Sequence, residues 1–276
     1  MLNYALLESK IDEYARQFQN AHPFPHLVVD DFLEPTVAEQ AYANFPEMEK
    51  MDALKDIRQY KAQDPNISNF DPIFGKIIFD HLNAARFLEI VERISGIRDL
   101  KPDQKLYAAG LAQSTDGGFL NVHVDNSSHP VQSWYRRINI LVYLNPHWSE
   151  EKGGHLELWS QNMSELIAIL PSFNRMVMFA TNKSSWHGHR RVNTPDGDTR
   201  KSINIYHFTE ESPDGSQYYH VTSFRGRRKE RVNQLVYPID NFVRTAARRL
   251  RKRKLPKNHG SKAPSFRKLC DLVTSK

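Results

Sequence analysis

Apolar positions along the chain change period once, near residue 105. Before that point the spacing is helical. Leu2, Ala5, Leu6, Ile11, Tyr14, Ala15 and Phe18 recur at helical intervals over residues 1–20. A short β-rich run, Leu27 to Val29, follows two prolines, and Pro35 opens a second helix through Thr36–Phe45, where its missing N–H costs nothing. Residues 46–70 are polar and irregular and read as a long loop suited to a pocket wall. Over residues 75–95, Ile77, Ile78, His81, Leu82, Ala85, Leu88, Ile90 and Val91 crowd one side of a helical segment that Gly96 ends.

From Lys105 the period becomes two. Eight segments have strand character: 105–113, 119–125, 136–144, 154–159, 165–170, 175–181, 185–192 and 200–208. Turn residues separate several of them, as at Asp116-Gly117-Gly118, Lys152-Gly153-Gly154 and Pro195-Asp196-Gly197. In 136–144, Ile138, Ile140, Val142 and Leu144 share one face, opposite Arg137, Asn139, Leu141 and Tyr143. In 200–208, Arg200, Ser202, Asn204 and Tyr206 share a face opposite Lys201, Ile203, Ile205 and His207. Eight strands after a helical preface suggest a jelly roll. The chain therefore reads as mainly β, with a mostly helical N-terminal support (1–104), a β core (105–224) and a basic C-terminal extension (225–276). In the extension, Ile239, Phe242, Val243, Ala246, Ala247 and Leu250 form an apolar stripe on a helix whose other positions are rich in arginine. That pattern fits either a helix docked on the barrel with a solvated basic face or a surface for an anionic partner.

Charge sharpens the division. The net charge of +6 is uneven: residues 225–276 carry 17 Lys/Arg against 3 Asp/Glu, a net of +14, which leaves −8 on the first 224 residues. A partner attracted by charge, nucleic acid or a membrane surface, would meet the extension and not the body. Hydrophobic content of 39% with 25% charged residues describes an ordinary soluble chain, and no run has the length of a transmembrane helix. The N-terminus has no apolar stretch of leader type, so a cytoplasmic location is expected. Cys270 is the only cysteine, which excludes an intramolecular disulfide and any cysteine-based metal site.

Candidate chemistry lies between His123 and Arg200. His123 and Asp125, two apart on a strand, point the same way, and the run Trp186-His187-Gly188-His189 supplies a distal histidine. Two imidazoles and one carboxylate can hold Fe(II) on one face of an octahedron and leave the other face open. His187 and His189 would face the same way, so His189 is the runner-up for the distal position. Arg200 and Ser202 follow His187 by 13 and 15 residues, a spacing that suits a basic residue on the next strand. The remaining histidines, His129, His147 and His155 among them, read as hydrogen-bonded or surface residues, and Trp134, Trp148 and Trp159 as barrel packing. Loop Asn126–Tyr135, which includes Trp134, and region 51–72 are the expected places for substrate contacts.

The runs LYAAGLAQSTDGGFLNVHVDN, RINILVYLNPHW, KGGHLELW, ILPSFNRMVMFAT, SSWHGHRRV and RKSINIYHF, over about residues 105–210, resemble the Fe(II)/2-oxoglutarate-dependent dioxygenases. The likeness is to their prolyl-4-hydroxylase-like branch, which includes the oxygen-sensing and ribosomal-protein prolyl hydroxylases. It implies a double-stranded β-helix with Fe(II) held by His123, Asp125 and His187, the last followed five residues on by Val192 as in the family. It further implies 2-oxoglutarate and dioxygen as co-substrates, with ascorbate in support. Arg200, with Ser202 beside it, matches the basic residue on the far 2-oxoglutarate carboxylate, and Tyr143 matches a tyrosine on the same carboxylate. Asp125 favours hydroxylation over halogenation, because the halogenases of this superfamily lack that carboxylate.

The chain departs from the oxygen-sensing members at Gln113, where they carry a tyrosine, and in a longer loop from His187 to Arg200. The implied substrate is a prolyl residue of a protein or peptide. A free amino acid, a saccharide or another small metabolite is the alternative, and a non-catalytic jelly roll binding anionic partners through its basic tail is a reading of another class.

Overall fold

The computed structural model describes residues 1–215 and 219–254. Cys270 and the part of the extension beyond Lys254 lie outside the described residues. The chain begins with α1 (Tyr4–Ser9), whose cap Asn3 accepts from the Leu6 N–H, and α2 (Ile11–Asn20), then passes through β1 (His26–Val29) and α3 (Pro35–Ala43). Next come β2 (Ala53–Lys55), β3 (Gln59–Asp64), α4 (Pro72–Gly75), a π-helical stretch Lys76–Leu82, and α5 (Ala85–Ser95), which ends at left-handed Gly96. The strands continue as β4 (Lys101–Pro102), β5 (Gly110–Ser114), β6 (Phe119–Val124), β7 (Tyr135–Tyr143), β8 (Leu156–Trp159) and β9 (Leu166–Ile169). They close with β10 (Arg175–Ala180), β11 (Trp186–His189), β12 (Arg200–Thr209) and β13 (Ser223–Phe224), before α6 (Arg231–Lys254).

All pairings are antiparallel, and the strands run β1-β10-β7-β12-β5-β3-β6-β11-β8-β9, with β13 on β6, β2 on β3 and β4 on β12. The sheet curls into a jelly roll. Strand alternation decides what each face meets. Ile138, Ile140, Val142, Ile203 and Ile205 are buried against α2, α3 and α5, and each such side chain contributes about 1.5–3 kcal/mol by leaving water. The opposite faces of β7 and β12 turn inward and line a cavity.

Each of the eight expected strands forms. The first begins at Gly110 and not at 105, because Leu106 and Ala108 take positive φ (51° and 56°) in a turn. Two expectations need correction. Residues 46–70 are not a loop: they hold the β2–β3 hairpin, and β3 sits between β5 and β6 in mid-sheet. The first 104 residues are therefore more than helical support, since β3 supplies Gln59, Lys61 and Gln63 to the cavity wall.

Of the two readings of the tail helix, docking on the barrel is seen, though not through the apolar stripe. α6 does pack on the barrel, but through polar groups. Fully buried Tyr237 donates to the Ile57 carbonyl and accepts from Asn121, while Asn241 bonds both backbone groups of Phe224. Ile239, Phe242 and Val243 of the apolar stripe are exposed.

His207 ties β12 to the helical layer: its Nε2–H donates to the Leu82 carbonyl at 3.0 Å, and burial pushes the imidazole down to about 4. An unfolded chain protonates this ring near 6.5, so unfolding takes up a proton between roughly pH 6.5 and pH 4, and stability falls as pH drops through that window. His207→Gln keeps a donor for Leu82 without the titration. Urea midpoints measured from pH 7 to pH 4 should fall less steeply in this variant than in the wild type. Equal slopes would mean that His207 does not titrate on unfolding.

Candidate metal centre

β6 and β11 pair so that His123 lies directly opposite His187. Residues 64 positions apart in sequence thus become cross-strand neighbours, and Asp125 follows just beyond the end of β6. His123 Nε2 is 3.7 Å from Asp125 Oδ1, and His187 Nε2 is 3.6 Å from Asp125 Oδ2. One donor atom from each of the three lies within 4.8 Å of the others, and all three side chains are buried.

The backbone orients both rings. His123 Nδ1–H donates to the Asn121 carbonyl and His187 Nδ1–H to the Ser185 carbonyl, each at 2.9 Å, which turns both Nε2 atoms toward the carboxylate. Burial and neighbouring His123 push His187 down to about 4, so its imidazole is neutral and ready to ligate at neutral pH. The donor set, its tautomers and its spacing fit a divalent metal.

Asp125 has supports that the sequence did not reveal. Asn139 Nδ2 donates to Oδ2 at 3.1 Å, and the guanidinium of Arg136 stands 3.3 Å from Oδ1. Burial alone would raise the carboxyl, but Arg136 and the two imidazoles outweigh it and hold Asp125 well below the usual carboxylate range. Arg136 is itself fully buried and stacked 3.6 Å over the Tyr206 ring, and none of its three nitrogens makes a hydrogen bond among the described residues. A bulge explains why Arg136, and not Arg137, faces inward. Ile138 pairs with His207 but Arg136 pairs with Phe208, so one extra residue in β7 turns Arg136 to the side of Asn139.

The cavity beside the triad has a volume of about 270 Å³, and Arg200, Ser202, Asn204 and Tyr206 of β12 all line it. Arg200 Nε donates to the Gly154 carbonyl at 2.6 Å and Nη2 to the Tyr143 hydroxyl at 3.1 Å, which fixes the guanidinium plane. Gly154, with φ +65°, is what lets this arginine in, since a Cβ there would sit 2.9 Å from Arg200 Cδ. The Tyr143 pKa is raised by burial, so its phenol keeps its proton. Ser202 Oγ and Asn204 Oδ1 are buried without a hydrogen-bond partner among the described residues, as expected where a polar ligand supplies the partner.

His189 lines the same cavity but stands outside the triad. Its Nε2 approaches Ser114 Oγ at 3.5 Å, and burial, with Arg200 nearby, holds it neutral. Gln113 also lines the cavity and is held by Thr199 and the Pro46 carbonyl. Arg137 bonds Thr209 and Arg191 bonds the Gly117 carbonyl, both outside the cavity lining.

Of the two regions expected to meet substrate, 51–72 contributes Asp52, Leu54, Arg58, Gln59, Lys61, Gln63 and Pro65 to the wall, whereas Asn126–Tyr135 contributes none. Trp134 packs against the core, and His129 is held by Asp103. Lys61, half-buried and pushed down to about 8 by desolvation, bonds Gln63 Oε1 at 2.7 Å.

Residues 109–208 match the model of the 2OG-Fe(II) oxygenase superfamily. Prolyl 3-hydroxylase OGFOD1 of Mus musculus is 25% identical over 174 residues, covering 60% of this chain and 29% of that protein. The chain thus spans under a third of the length of this curated relative. Among solved structures, a prolyl 4-hydroxylase of Phytophthora capsici superposes with a TM-score of 0.55 at 19% identity, over 91% of this chain and 78% of that one. A prolyl hydroxylase of Trichoplax adhaerens, in complex with a hypoxia inducible factor oxygen degradation domain peptide fragment, superposes with a TM-score of 0.50 at 16% identity, over 79% and 98%. Likeness at this identity establishes the shared fold.

Proposed function

We propose that this chain, whose residues 109–208 match the 2OG-Fe(II) oxygenase superfamily, is a hydroxylase of the prolyl-4-hydroxylase-like kind that acts on a prolyl residue of a protein or peptide, with iron on His123, Asp125 and His187. The observation that carries the reading is one cavity wall shared by the triad and by Arg200, Ser202 and Tyr206. Bound iron and 2-oxoglutarate supply the oxidation: dioxygen is split between succinate, formed with loss of carbon dioxide, and the hydroxylated product.

The chain's own residues bind and orient. Arg200 presents its remaining N–H groups to the far carboxylate of 2-oxoglutarate, Tyr143 donates its O–H to the same group, and Ser202 supplies a third donor from β12. Asn139 and Arg136 hold Asp125 in place and keep it ionised, so that its carboxylate would be available to a metal beside His123 and His187. Gln59, Lys61 and Gln63 of the β2–β3 hairpin add polar side chains to the cavity wall for contacts with a substrate. Relatives named as prolyl hydroxylases, one of them bound to a peptide fragment, support this choice of substrate.

The test has two stages. Purified protein with Fe(II) and 2-oxoglutarate should show a weak visible absorption under anaerobic conditions and slow succinate release in air. A proline-containing peptide library should then show a mass gain of one oxygen that depends on 2-oxoglutarate. Succinate release with no peptide modified, alongside an oxygenated product in a metabolite extract, would move the substrate to the small-molecule class.

A further inference from the structure

Ten large hydrophobic side chains are exposed among the described residues, and six of them lie on α6: Val232, Leu235, Val236, Ile239, Phe242 and Val243. They fall at i, i+3, i+4, i+7, i+10 and i+11, which is one stripe of a helix, and they are 39% to 75% exposed. The opposite side is committed to the barrel. Tyr237 is fully buried, Asn241 is bonded to Phe224, and Arg244 donates to the Thr222 carbonyl. Phe224 in turn stacks on the ring of His123. The fold therefore fixes which way the apolar stripe points, and it points outward.

A stripe this size marks a contact surface, and charge selects the occupant. The sequence places six cations in seven residues at Arg248–Lys254, and residues 225–276 carry +14. A second copy of this chain would bring an equal positive charge against its own and be repelled. Nucleic acid would satisfy the arginines but has no use for five exposed aliphatic side chains, and its bases stack on aromatic platforms of which this face has one, Phe242. An anionic lipid surface satisfies both features, with aliphatic side chains and a phenylalanine in the acyl boundary and arginines at the phosphates.

We propose that α6 is an interfacial anchor that lays its Val232–Val243 face into an anionic membrane surface. Arg244, on the opposite and barrel-facing side of the same helix, lines the cavity, so docking through the apolar stripe holds the oxygenase domain at the bilayer.

The test uses the full chain and vesicles of phosphatidylcholine, with or without phosphatidylglycerol as one third of the lipid. Wild-type protein should co-sediment with the phosphatidylglycerol vesicles at low salt and only weakly with phosphatidylcholine alone, and high salt should release most of it. The double variant Leu235→Ser, Phe242→Ser should bind the anionic vesicles about tenfold less or weaker still, because the lost term is apolar burial. Its thermal melt and its succinate release should match wild type, since both side chains are exposed and outside the cavity. Equal binding by the variant and wild type overturns the proposal, as does failure of the wild type to bind anionic vesicles. Capture of a duplex oligonucleotide in place of vesicles, or a dimer that the double variant dissociates, assigns the face to nucleic acid or to a second copy and also overturns it.

Discussion

Asp125→Ala is expected to abolish metal binding and, separately, to destabilise the metal-free protein by roughly 3–5 kcal/mol, the usual consequence of leaving a buried charge unpaired. The two effects have different origins. Metal binding is lost because the triad's one carboxylate is gone and only its two imidazoles remain. Stability is lost because Arg136, fully buried and without hydrogen bonds from its nitrogens among the described residues, has Asp125 as its counter-charge. His187→Ala separates them: it also removes a ligand, but it leaves Asp125 facing Arg136. Anaerobic absorbance with Fe(II) and 2-oxoglutarate should vanish in both variants, while urea melts of the metal-free proteins should place Asp125→Ala well below His187→Ala. If the two melt together, Arg136 does not rely on Asp125. Should His189→Ala remove the absorbance while His187→Ala retains it, the distal ligand is the other histidine.

How much of this was legible in the sequence depended on which face of each strand carried the signal. β7 and β12 alternate cleanly because one face packs on the helical layer and the other on a polar cavity, so the inward set Arg200, Ser202, Asn204 and Tyr206 could be read directly. The β2–β3 hairpin was missed for a related reason. Its inward residues Gln59, Lys61 and Gln63 are polar because the cavity is polar, and of its outward side Tyr60 is only half-buried, so no apolar period of two remains. Arg136 was hidden by the bulge at Arg137, which no local pattern announces. The helical segment 75–95 was legible as helix, but its break into a π-helical stretch and α5 at Asn83 was not.

α6 shows the limit of amphipathicity as evidence. A moment says that a helix has an apolar side; it does not say that the barrel takes that side. Here Tyr237 and Asn241 make specific polar contacts with Ile57, Asn121 and Phe224, and these decide the orientation against the apolar stripe. Of the triad, the His123–Asp125 pair was readable because residues two apart at a strand end face the same way, whereas spacing left His187 and His189 open and only the resemblance favoured His187, which the structure places directly across the ladder from His123.

Arg200→Ala is expected to weaken 2-oxoglutarate binding by about 2–4 kcal/mol, since a buried carboxylate loses its charge-assisted partner. At 1.4 kcal/mol per decade this corresponds to roughly 30- to 700-fold in the 2-oxoglutarate requirement, with iron binding intact because Arg200 belongs to a different element from the triad. Arg200→Lys should recover part of the loss and no more. An ammonium keeps the charge, but it lacks the planar fork that the Gly154 carbonyl and the Tyr143 hydroxyl hold in place, and it cannot offer two parallel donors to a carboxylate. Tyr143→Phe removes one donor from the same site and leaves the guanidinium charged, so its effect should be smaller than that of Arg200→Ala. Two measurements on each variant decide the matter: anaerobic titration of the Fe(II) protein with 2-oxoglutarate, and succinate release as a function of 2-oxoglutarate concentration. The order expected in both is wild type tightest, then Tyr143→Phe, with Arg200→Ala weakest and Arg200→Lys tighter than Arg200→Ala. An unchanged 2-oxoglutarate affinity in Arg200→Ala would remove Arg200 from the co-substrate site and leave Lys61, the other lysine or arginine on the cavity wall without a carboxylate partner among the described residues, as the group to test next.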